Sequence, residues 1–197
     1  MKRIILFSTP EGKHFDKILD LTFPKELKNK VLAYMPSNGS ETKQEYTDLW
    51  KSWAKDHDTK FLFIDNSKED AKEEIKKLLS ANILVITGGN TFTLLRNLKR
   101  SGLDKAIIDF SKKDNFVING FSAGALILSP TINICNLPNY DENLVELKDL
   151  SGLNLVDYEV FPHYSDELKN VLENYRESTN NIVKEITNDD HILIENE

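Results

Sequence analysis

Ser122 is placed in this 197-residue chain to act as a nucleophile. It is the central residue of a Gly-x-Ser-x-Gly motif at 120–124, between an apolar run at 116–119 and small and apolar residues at 123–129. Between a strand and a helix, this motif is typical of a nucleophile elbow, a sharp turn that projects the serine above the sheet edge. The pattern predicts a helix over 123–129, whose N-terminus and Ala123 N–H would stabilise an oxyanion. The alternative is a tight turn lined with glycine.

A pair of glycines, Gly88 and Gly89, follows the apolar run at 83–87 and precedes Asn90. Adjacent glycines let the backbone approach a ligand closely and direct N–H groups toward it. Because this turn and the serine motif both follow buried strands, the sequence predicts that the glycine turn supplies a second oxyanion donor. A plain tight turn, or a phosphate-binding loop without the usual lysine signature, are the alternatives.

A nucleophilic serine needs a general base, because a serine hydroxyl is almost never ionised at neutral pH. Of the four histidines, His163 follows a strand-like run at 158–161 and precedes a helix predicted over 165–176. It therefore lies where ligands bind, beyond the carboxyl end of a strand. It also follows the serine along the chain, as in α/β enzymes with a nucleophile elbow. We predict that His163 is the base.

Short apolar runs alternate with amphipathic stretches along the chain. The apolar runs have strand length and few polar residues, as strands buried on both faces must; they lie at 3–8, 31–35, 60–64, 83–87 and 116–119. This alternation predicts an α/β fold with a mostly parallel sheet and helices on both faces. Because the chain has no internal repeat and no linker-like segment, residues 1–197 are predicted to form a single domain.

Two amphipathic stretches have distinct apolar faces. The stretch at 41–57 places large side chains at helical spacing, which predicts a stripe packed into the core rather than a binding platform; its members are Tyr46, Leu49, Trp50 and Trp53. The stretch at 67–80 begins with Ser67 as a predicted N-cap and is expected to bury a face that ends at Leu79.

Composition excludes several classes of function. The chain has 25 basic and 32 acidic residues, a net charge of −7 and no basic tract, which argues against nucleic-acid binding. No apolar run approaches the roughly 20 residues that span a bilayer, and the N-terminal run ends too early for a signal peptide. Cys135 is the single cysteine, so neither an internal disulfide nor a thiolate metal cluster is expected. We expect a cytoplasmic protein without a metal or cofactor.

Three stretches together resemble the peptidase E and cyanophycinase family of serine peptidases. They are ITGGNTFTLLRNL at 86–98, NGFSAGALILSPTI at 119–132 and VFPHYS at 160–165. The resemblance implies a class I glutamine amidotransferase-like, flavodoxin-like fold and hydrolysis of short peptides through an acyl-enzyme. The branch it is most similar to, the aspartyl dipeptidases, removes an N-terminal aspartate.

The resemblance also implies roles for individual residues. Ser122 would be the nucleophile and His163 the general base, while Gly89 and Ala123 supply oxyanion N–H groups and Asn90 holds the turn. The family's acidic triad residue falls within 187–190, where the alignment places Asn188 at the acidic position. An asparagine can orient an imidazole but supplies no counter-charge. Asp189 is therefore our predicted third member, with Asn188 and Asp190 as alternatives.

Two further residues would contact the substrate if the resemblance extends to them. Asp141, in an acidic loop at 133–151, would lie near the substrate amino group. Arg176 would hold a side-chain carboxylate in a bidentate pair, unless it is a solvated arginine at a helix end. The expected partner is a short peptide, and the expected state is a monomer or homodimer. The alternative function is a catalytically silent binding or sensor domain that retains the elbow as scaffold.

Overall fold

The computed structural model describes residues 1–138 and 140–196, which form eight strands and seven α-helices. The strands are β1 (Lys2–Phe7), β2 (Val31–Met35), β3 (Lys60–Phe63), β4 (Ile83–Ile86), β5 (Phe116–Phe121), β6 (Glu159–Tyr164), β7 (Val183–Thr187) and β8 (His191–Asn196). The helices are α1 (Phe15–Thr22), α2 (Gln44–Asp56), α3 (Lys72–Ser80), α4 (Thr91–Ser101), α5 (Leu103–Phe110), α6 (Ala123–Leu126) and α7 (Lys169–Ser178).

Six strands form the central sheet in the order β3-β2-β4-β5-β1-β8. All neighbours are parallel except β8, which runs antiparallel to β1 at the edge. Alternate residues of β1 enter different core clusters: Ile4 and Leu6 belong to one, Ile5 and Phe7 to the other. The sheet is therefore covered on both faces, and the predicted fold class, a mostly parallel α/β sheet of flavodoxin-like type, is confirmed.

The strands β6 and β7 form a separate parallel pair. This pair places His163 near the end of β6 and leads from β7 into the turn at 187–190. The sequence analysis did not predict β7, because Val183 and Ile186 are buried while the two charged residues between them are exposed. That pattern is neither the continuous apolar run of a buried strand nor a strict alternation.

Three helices differ from their predicted extent, and one of them, α7, covers Lys169–Ser178 instead of the predicted 165–176. Helix α3 begins at Lys72 rather than at Ser67, whose hydroxyl donates to the Asp65 carboxylate at 2.6 Å and forms a local turn instead of an N-cap. Its Leu79 is partly exposed rather than packed. Helix α6 covers only Ala123–Leu126 of the predicted 123–129. None of the helices that the structure describes is both long and apolar enough to cross a bilayer.

The apolar stripe of α2 is only partly core. Trp50 is 3% exposed and packs near the Phe15, Tyr34 and Phe121 rings. Tyr46, one turn before Trp50, and Leu49, one turn before Trp53, are 51% and 48% exposed. The predicted core stripe is therefore right for Trp50 and wrong for Tyr46 and Leu49, whose side chains face a cavity.

Glu74 is a buried carboxylate on α3, with a side chain only 1% exposed. It accepts hydrogen bonds from Lys68 Nζ at 2.7 Å, Lys77 Nζ at 2.9 Å and the Asp65 N–H at 3.1 Å. Burial alone would raise the pKa of Glu74, but these hydrogen bonds and the Lys77 charge together lower the pKa below its ordinary value.

Replacing Glu74 with glutamine is expected to lower the free energy of unfolding by about 2 kcal/mol at pH 7, because the two lysines would then face a neutral amide instead of a carboxylate. A carboxylate with a lowered pKa stabilises the fold above its unfolded pKa, about 4.3. That contribution is lost as the pH falls through the folded pKa. Urea unfolding from pH 7 to pH 3 should therefore show the two proteins converging in acid. Glu73→Gln, on the same helix but 74% exposed, should behave like wild type. A Glu74→Gln deficit that is constant with pH would contradict this account.

Candidate active site

Ser122 lies in a strained turn between β5 and α6. Its backbone angles, φ +50° and ψ −117°, are ones that residues with a side chain rarely adopt. The surrounding structure fixes this conformation: the Ser122 N–H donates to the carbonyl oxygen of Phe7 at 3.0 Å. The structure thus has the sharp strand-to-helix turn that the Gly-x-Ser-x-Gly motif predicted.

Two glycines let this turn pack against the end of β4. A Cβ atom on Gly124 would lie 2.0 Å from the carbonyl oxygen of Ile86, and one on Gly120 would lie 2.6 Å from the carbonyl oxygen of Gly124. No side chain fits either space without a backbone shift. This close packing brings the turn that begins at Gly88 against Ser122.

The backbone N–H groups of Gly89 and Ala123 are free to act as oxyanion donors. Neither amide donates a hydrogen bond within residues 1–138 and 140–196. Gly89 has φ +141°, a conformation that glycine adopts readily. With only four residues, α6 provides a small helix dipole, so stabilisation of an oxyanion would depend on the individual N–H groups rather than on the predicted longer helix.

Asn90 and Asp141 both hold the start of α4, immediately after this turn. Asn90 Oδ1 accepts from the Thr93 N–H at 2.9 Å, and its Nδ2 donates to the Glu142 carbonyl at 2.8 Å. Asp141 Oδ2 accepts from the Thr91 N–H at 2.9 Å. The predicted role of Asn90 in holding the turn is consistent with these contacts. Asp141 lies next to the turn, and its carboxylate binds the protein backbone, so its role near a substrate amino group stays a prediction.

His163 lies in hydrogen-bonding contact with Ser122. The distance from His163 Nε2 to Ser122 Oγ is 3.0 Å. His163 has φ +59°, and its N–H donates to Ser8 Oγ at 2.9 Å; the Ser8 hydroxyl donates in turn to the Ile186 carbonyl at 2.9 Å. The sequence analysis missed Ser8, a buried residue that follows β1 and links the central sheet to both β6 and β7.

The third member of the hydrogen-bonded chain is Asn188. Its Oδ1 lies 2.8 Å from His163 Nδ1. The Asp189 carboxylate instead accepts from the Lys13 N–H at 3.0 Å and pairs with Lys13 Nζ at 3.1 Å, contacts that lower the pKa of Asp189. Asp190 accepts from the Thr187 hydroxyl within the same turn. The prediction that Asp189 would contact His163 is therefore wrong, because that side chain points toward the loop after β1.

This arrangement fixes the roles of the two imidazole nitrogens. An amide oxygen accepts hydrogen bonds but does not donate them, so the contact with Asn188 Oδ1 requires a proton on His163 Nδ1. In the neutral imidazole, His163 Nε2 is then the acceptor for the Ser122 hydroxyl. This is the tautomer that a general base needs, and the site lacks the carboxylate that would stabilise a protonated imidazole.

Arg176 contacts β7 rather than the hydrogen-bonded chain. Its guanidinium donates to the Val183 carbonyl at 2.8 Å and pairs with Glu185. Val183 is in register with Glu159 and Glu185 with Phe161, so these contacts lie along β7 before the turn at 187–190. The predicted role of Arg176 in holding a substrate carboxylate is not supported by these contacts, because the guanidinium already pairs with Glu185.

A cavity of about 710 Å³ lies beside the glycine turn. Its walls include the apolar side chains of Tyr34, Tyr46, Leu49, Trp50, Trp53 and Phe121, and the charged side chains of Glu11, Glu41 and Lys43. The one cysteine, Cys135, is buried elsewhere in the core, and burial raises the pKa of its thiol to about 12. Within the described residues, no group of three or more His, Cys, Asp or Glu side chains is arranged to hold a metal ion.

Comparison with known proteins gives related sequences over most of the chain. Residues 4–197 match the model of Peptidase family S51. An uncharacterized peptidase of Listeria monocytogenes is 33% identical over 147 residues, which cover 73% of this chain and 70% of that protein. An uncharacterized peptidase of Pasteurella multocida is 30% identical over 203 residues, which cover 100% of this chain and 95% of that protein. Peptidase E of Escherichia coli is 33% identical over 96 residues, covering 49% of this chain and 40% of that protein.

Solved structures share the architecture. The crystal structure of a Listeria monocytogenes protein named as a peptidase E has a TM-score of 0.78 and 28% identity, and the match covers 98% of this chain and 94% of that one. A peptidase from an acI-B1 actinobacterium has a TM-score of 0.62 and 15% identity, and the match covers 98% of this chain and 83% of that one. At this identity, the match supports a shared fold and no more.

Proposed function

The chain belongs to Peptidase family S51 and is a peptidase, and from that premise we propose that Ser122 attacks short peptides and forms an acyl-enzyme. One observation carries the proposal: Ser122 Oγ, both ring nitrogens of His163 and Asn188 Oδ1 form a continuous hydrogen-bonded chain, with distances of 3.0 and 2.8 Å. The alternative of a silent binding domain does not require a reactive tautomer of His163.

In the proposed reaction, His163 Nε2 takes the Ser122 proton while Oγ bonds to the carbonyl carbon of the peptide. The N–H groups of Gly89 and Ala123 donate to the resulting oxyanion. The protonated His163 then gives its proton to the leaving amine, and the C–N bond breaks to leave an ester on Ser122. A water molecule then gives its proton to His163 and attacks the ester carbonyl. Ser122 takes the proton back, and the carboxylic acid is released.

Asn188 holds His163 in the orientation and tautomer required for the first step. It adds no negative charge when His163 becomes protonated, so this transition state is stabilised less than with a carboxylate. We therefore expect a slower peptidase than one with an aspartate at this position. Ser8 supports the same geometry from the backbone side, because it accepts the His163 N–H.

A preference for an N-terminal aspartate stays a prediction of the family resemblance. Such a preference needs a cation near the scissile bond, and Arg176 is paired with Glu185 instead. Among the residues that line the cavity, Lys43 is the one basic side chain, and Glu11 and Glu41 outweigh its charge, so the cavity does not supply this cation. Rates for Asp-Ala, Asn-Ala and Ala-Ala dipeptides would test the prediction, since a charge-dependent preference separates Asp-Ala from its neutral isostere Asn-Ala.

Labelling with an active-site-directed phosphonate ester tests the proposal. We expect about one equivalent of phosphonate per chain, attached to Ser122 and located by peptide mass mapping, because only an activated serine reacts. His163→Ala should slow the labelling by orders of magnitude. Ser80→Ala, at the end of α3, is the matched control and should label at the wild-type rate. A wild-type chain whose Ser122 stays unlabelled would favour the silent binding domain.

A further inference from the structure

The cavity described above opens beside the proposed nucleophile. Gly88 and Gly89, from the glycine turn, and Phe121, the neighbour of Ser122, form part of its wall. A Cβ atom on Gly88 would lie 3.0 Å from Ser122 Cβ, so the turn and the serine are in contact at this end of the cavity. A peptide with its carbonyl carbon at Ser122 would therefore have one flanking side chain next to the cavity.

Another wall of the cavity is the apolar face of α2. Tyr46, Leu49, Trp50 and Trp53 recur at the spacing that places side chains on one face of a helix. The Trp50 ring packs at 5.1 Å from Trp53 and 6.4 Å from Phe121, which makes a continuous aromatic surface. Tyr46 and Leu49 extend this surface but are about half exposed. A ligand that covered them would remove apolar surface from water, a favourable change.

The charged residues of the cavity disfavour an acidic ligand side chain. Glu11 and Glu41 contribute two negative charges and Lys43 one positive charge. Lys43 Nζ also lies 3.8 Å from the Glu45 carboxylate, which partly balances its charge. An acidic side chain would meet net negative charge here, whereas an uncharged one would not.

We propose that this cavity binds a large apolar side chain, with aromatic residues preferred, that flanks the scissile bond of a short peptide. Tyr46, Leu49 and Trp53 would then determine specificity. The assignment rests on the proposed function, because the cavity would select substrates only if the scissile bond is held at Ser122, beside Gly88 and Phe121. Its volume lies within the range of about 300–1,000 Å³ that is usual for small-molecule sites.

Two dipeptide series, X-Ala and Ala-X, test the proposal, with X as Ala, Leu, Phe, Trp or Asp. We expect kcat/KM in one series to be about 10- to 100-fold higher for Phe or Trp than for Ala, and lowest for Asp. The series with this preference identifies which side of the scissile bond faces the cavity. Equal rates across both series, or the highest rate for Asp, would overturn the proposal.

A double variant links the preference to the cavity wall. Tyr46→Ala with Leu49→Ala should reduce the ratio of kcat/KM for Phe over Ala by about tenfold or more. Both side chains are half exposed, so the fold should be retained. Leu79→Ala is the matched control, since Leu79 is also a partly exposed leucine but lies on α3 outside the cavity. An equal loss of selectivity in both proteins would overturn the proposal.

A binding measurement separates this proposal from that of the peptidase. Trp50 and Trp53 are the only tryptophans of the chain and both line the cavity, so their fluorescence reports its occupancy. In Ser122→Ala, we expect Phe-containing dipeptides to bind at least tenfold more tightly than Ala-Ala. That result would support the cavity assignment even where the wild-type protein hydrolyses nothing. Hydrolysis by the wild type without any such selectivity would overturn the cavity assignment and leave the peptidase proposal intact.

Discussion

Replacing Ser122 with alanine is expected to lower kcat for peptide hydrolysis by about 10⁶-fold, as the loss of the nucleophile does in other serine peptidases. The change removes one oxygen atom and its hydrogen bond to His163, and retains the Cβ atom that the turn already accommodates. The melting temperature should therefore stay close to that of wild type. Hydrolysis under single-turnover conditions, followed by chromatography of the products, would measure the loss, and circular dichroism would confirm the fold.

The same variant has an outcome that rejects the assignment. Residual activity within tenfold of wild type would mean that another group attacks the peptide. The matched control is Ser178→Ala at the C-terminal end of α7, whose hydroxyl donates to the Tyr175 carbonyl away from the site. This control should retain wild-type activity, because it removes a serine hydroxyl without touching the hydrogen-bonded chain.

The nucleophile elbow could be predicted from the sequence because its geometry requires particular residues. At Gly120 and Gly124, any Cβ atom would collide with a backbone oxygen, so the packing of the turn requires glycine at both positions. The apolar run at 116–119 before the motif likewise predicts a buried strand. His163 could be predicted for a related reason, since it follows a strand whose carboxyl end must lie near the same edge of the fold.

The partner of His163 could not be predicted in this way. Residues 188–190 all carry side chains that accept hydrogen bonds, and a rotation of the turn by one residue changes which of them faces the imidazole. Which residue faces His163 depends on a contact that is distant in sequence. Lys13, 176 positions from Asp189, binds the Asp189 carboxylate, and Asn188 faces His163. Local sequence patterns contain no information on that pairing.

The surroundings of Arg176 and Tyr46 could not be predicted either. Both lie on helices whose amphipathic pattern predicts that one face is buried but not which strand or cavity that face meets. Arg176 contacts Val183 and Glu185 of β7, a strand that the sequence pattern did not predict. Tyr46 is exposed because the loops after β1 and β2 leave a cavity above α2.

Replacing Asn188 with alanine is expected to lower kcat by up to about 10⁴-fold, the loss seen when the aspartate that orients a catalytic histidine is replaced. Without Asn188 Oδ1, His163 Nδ1 has lost the acceptor that fixes its tautomer and ring orientation. Asp189→Ala should cost only a few-fold, because Asp189 acts through Lys13 and the position of the turn. Steady-state rates of the two variants on the same peptide would compare them directly.

Asn188→Asp should act in the opposite direction and raise kcat by about tenfold or more. A carboxylate at this position would keep the acceptor for Nδ1 and also stabilise the positive charge that His163 gains during attack. The gain should disappear in Asn188→Asp combined with Ser122→Ala, since it operates only through the nucleophile. A loss in Asp189→Ala greater than that in Asn188→Ala would show that Asp189 rather than Asn188 supports His163 during the reaction, and a slower Asn188→Asp would show that a carboxylate at position 188 does not stabilise the protonated imidazole.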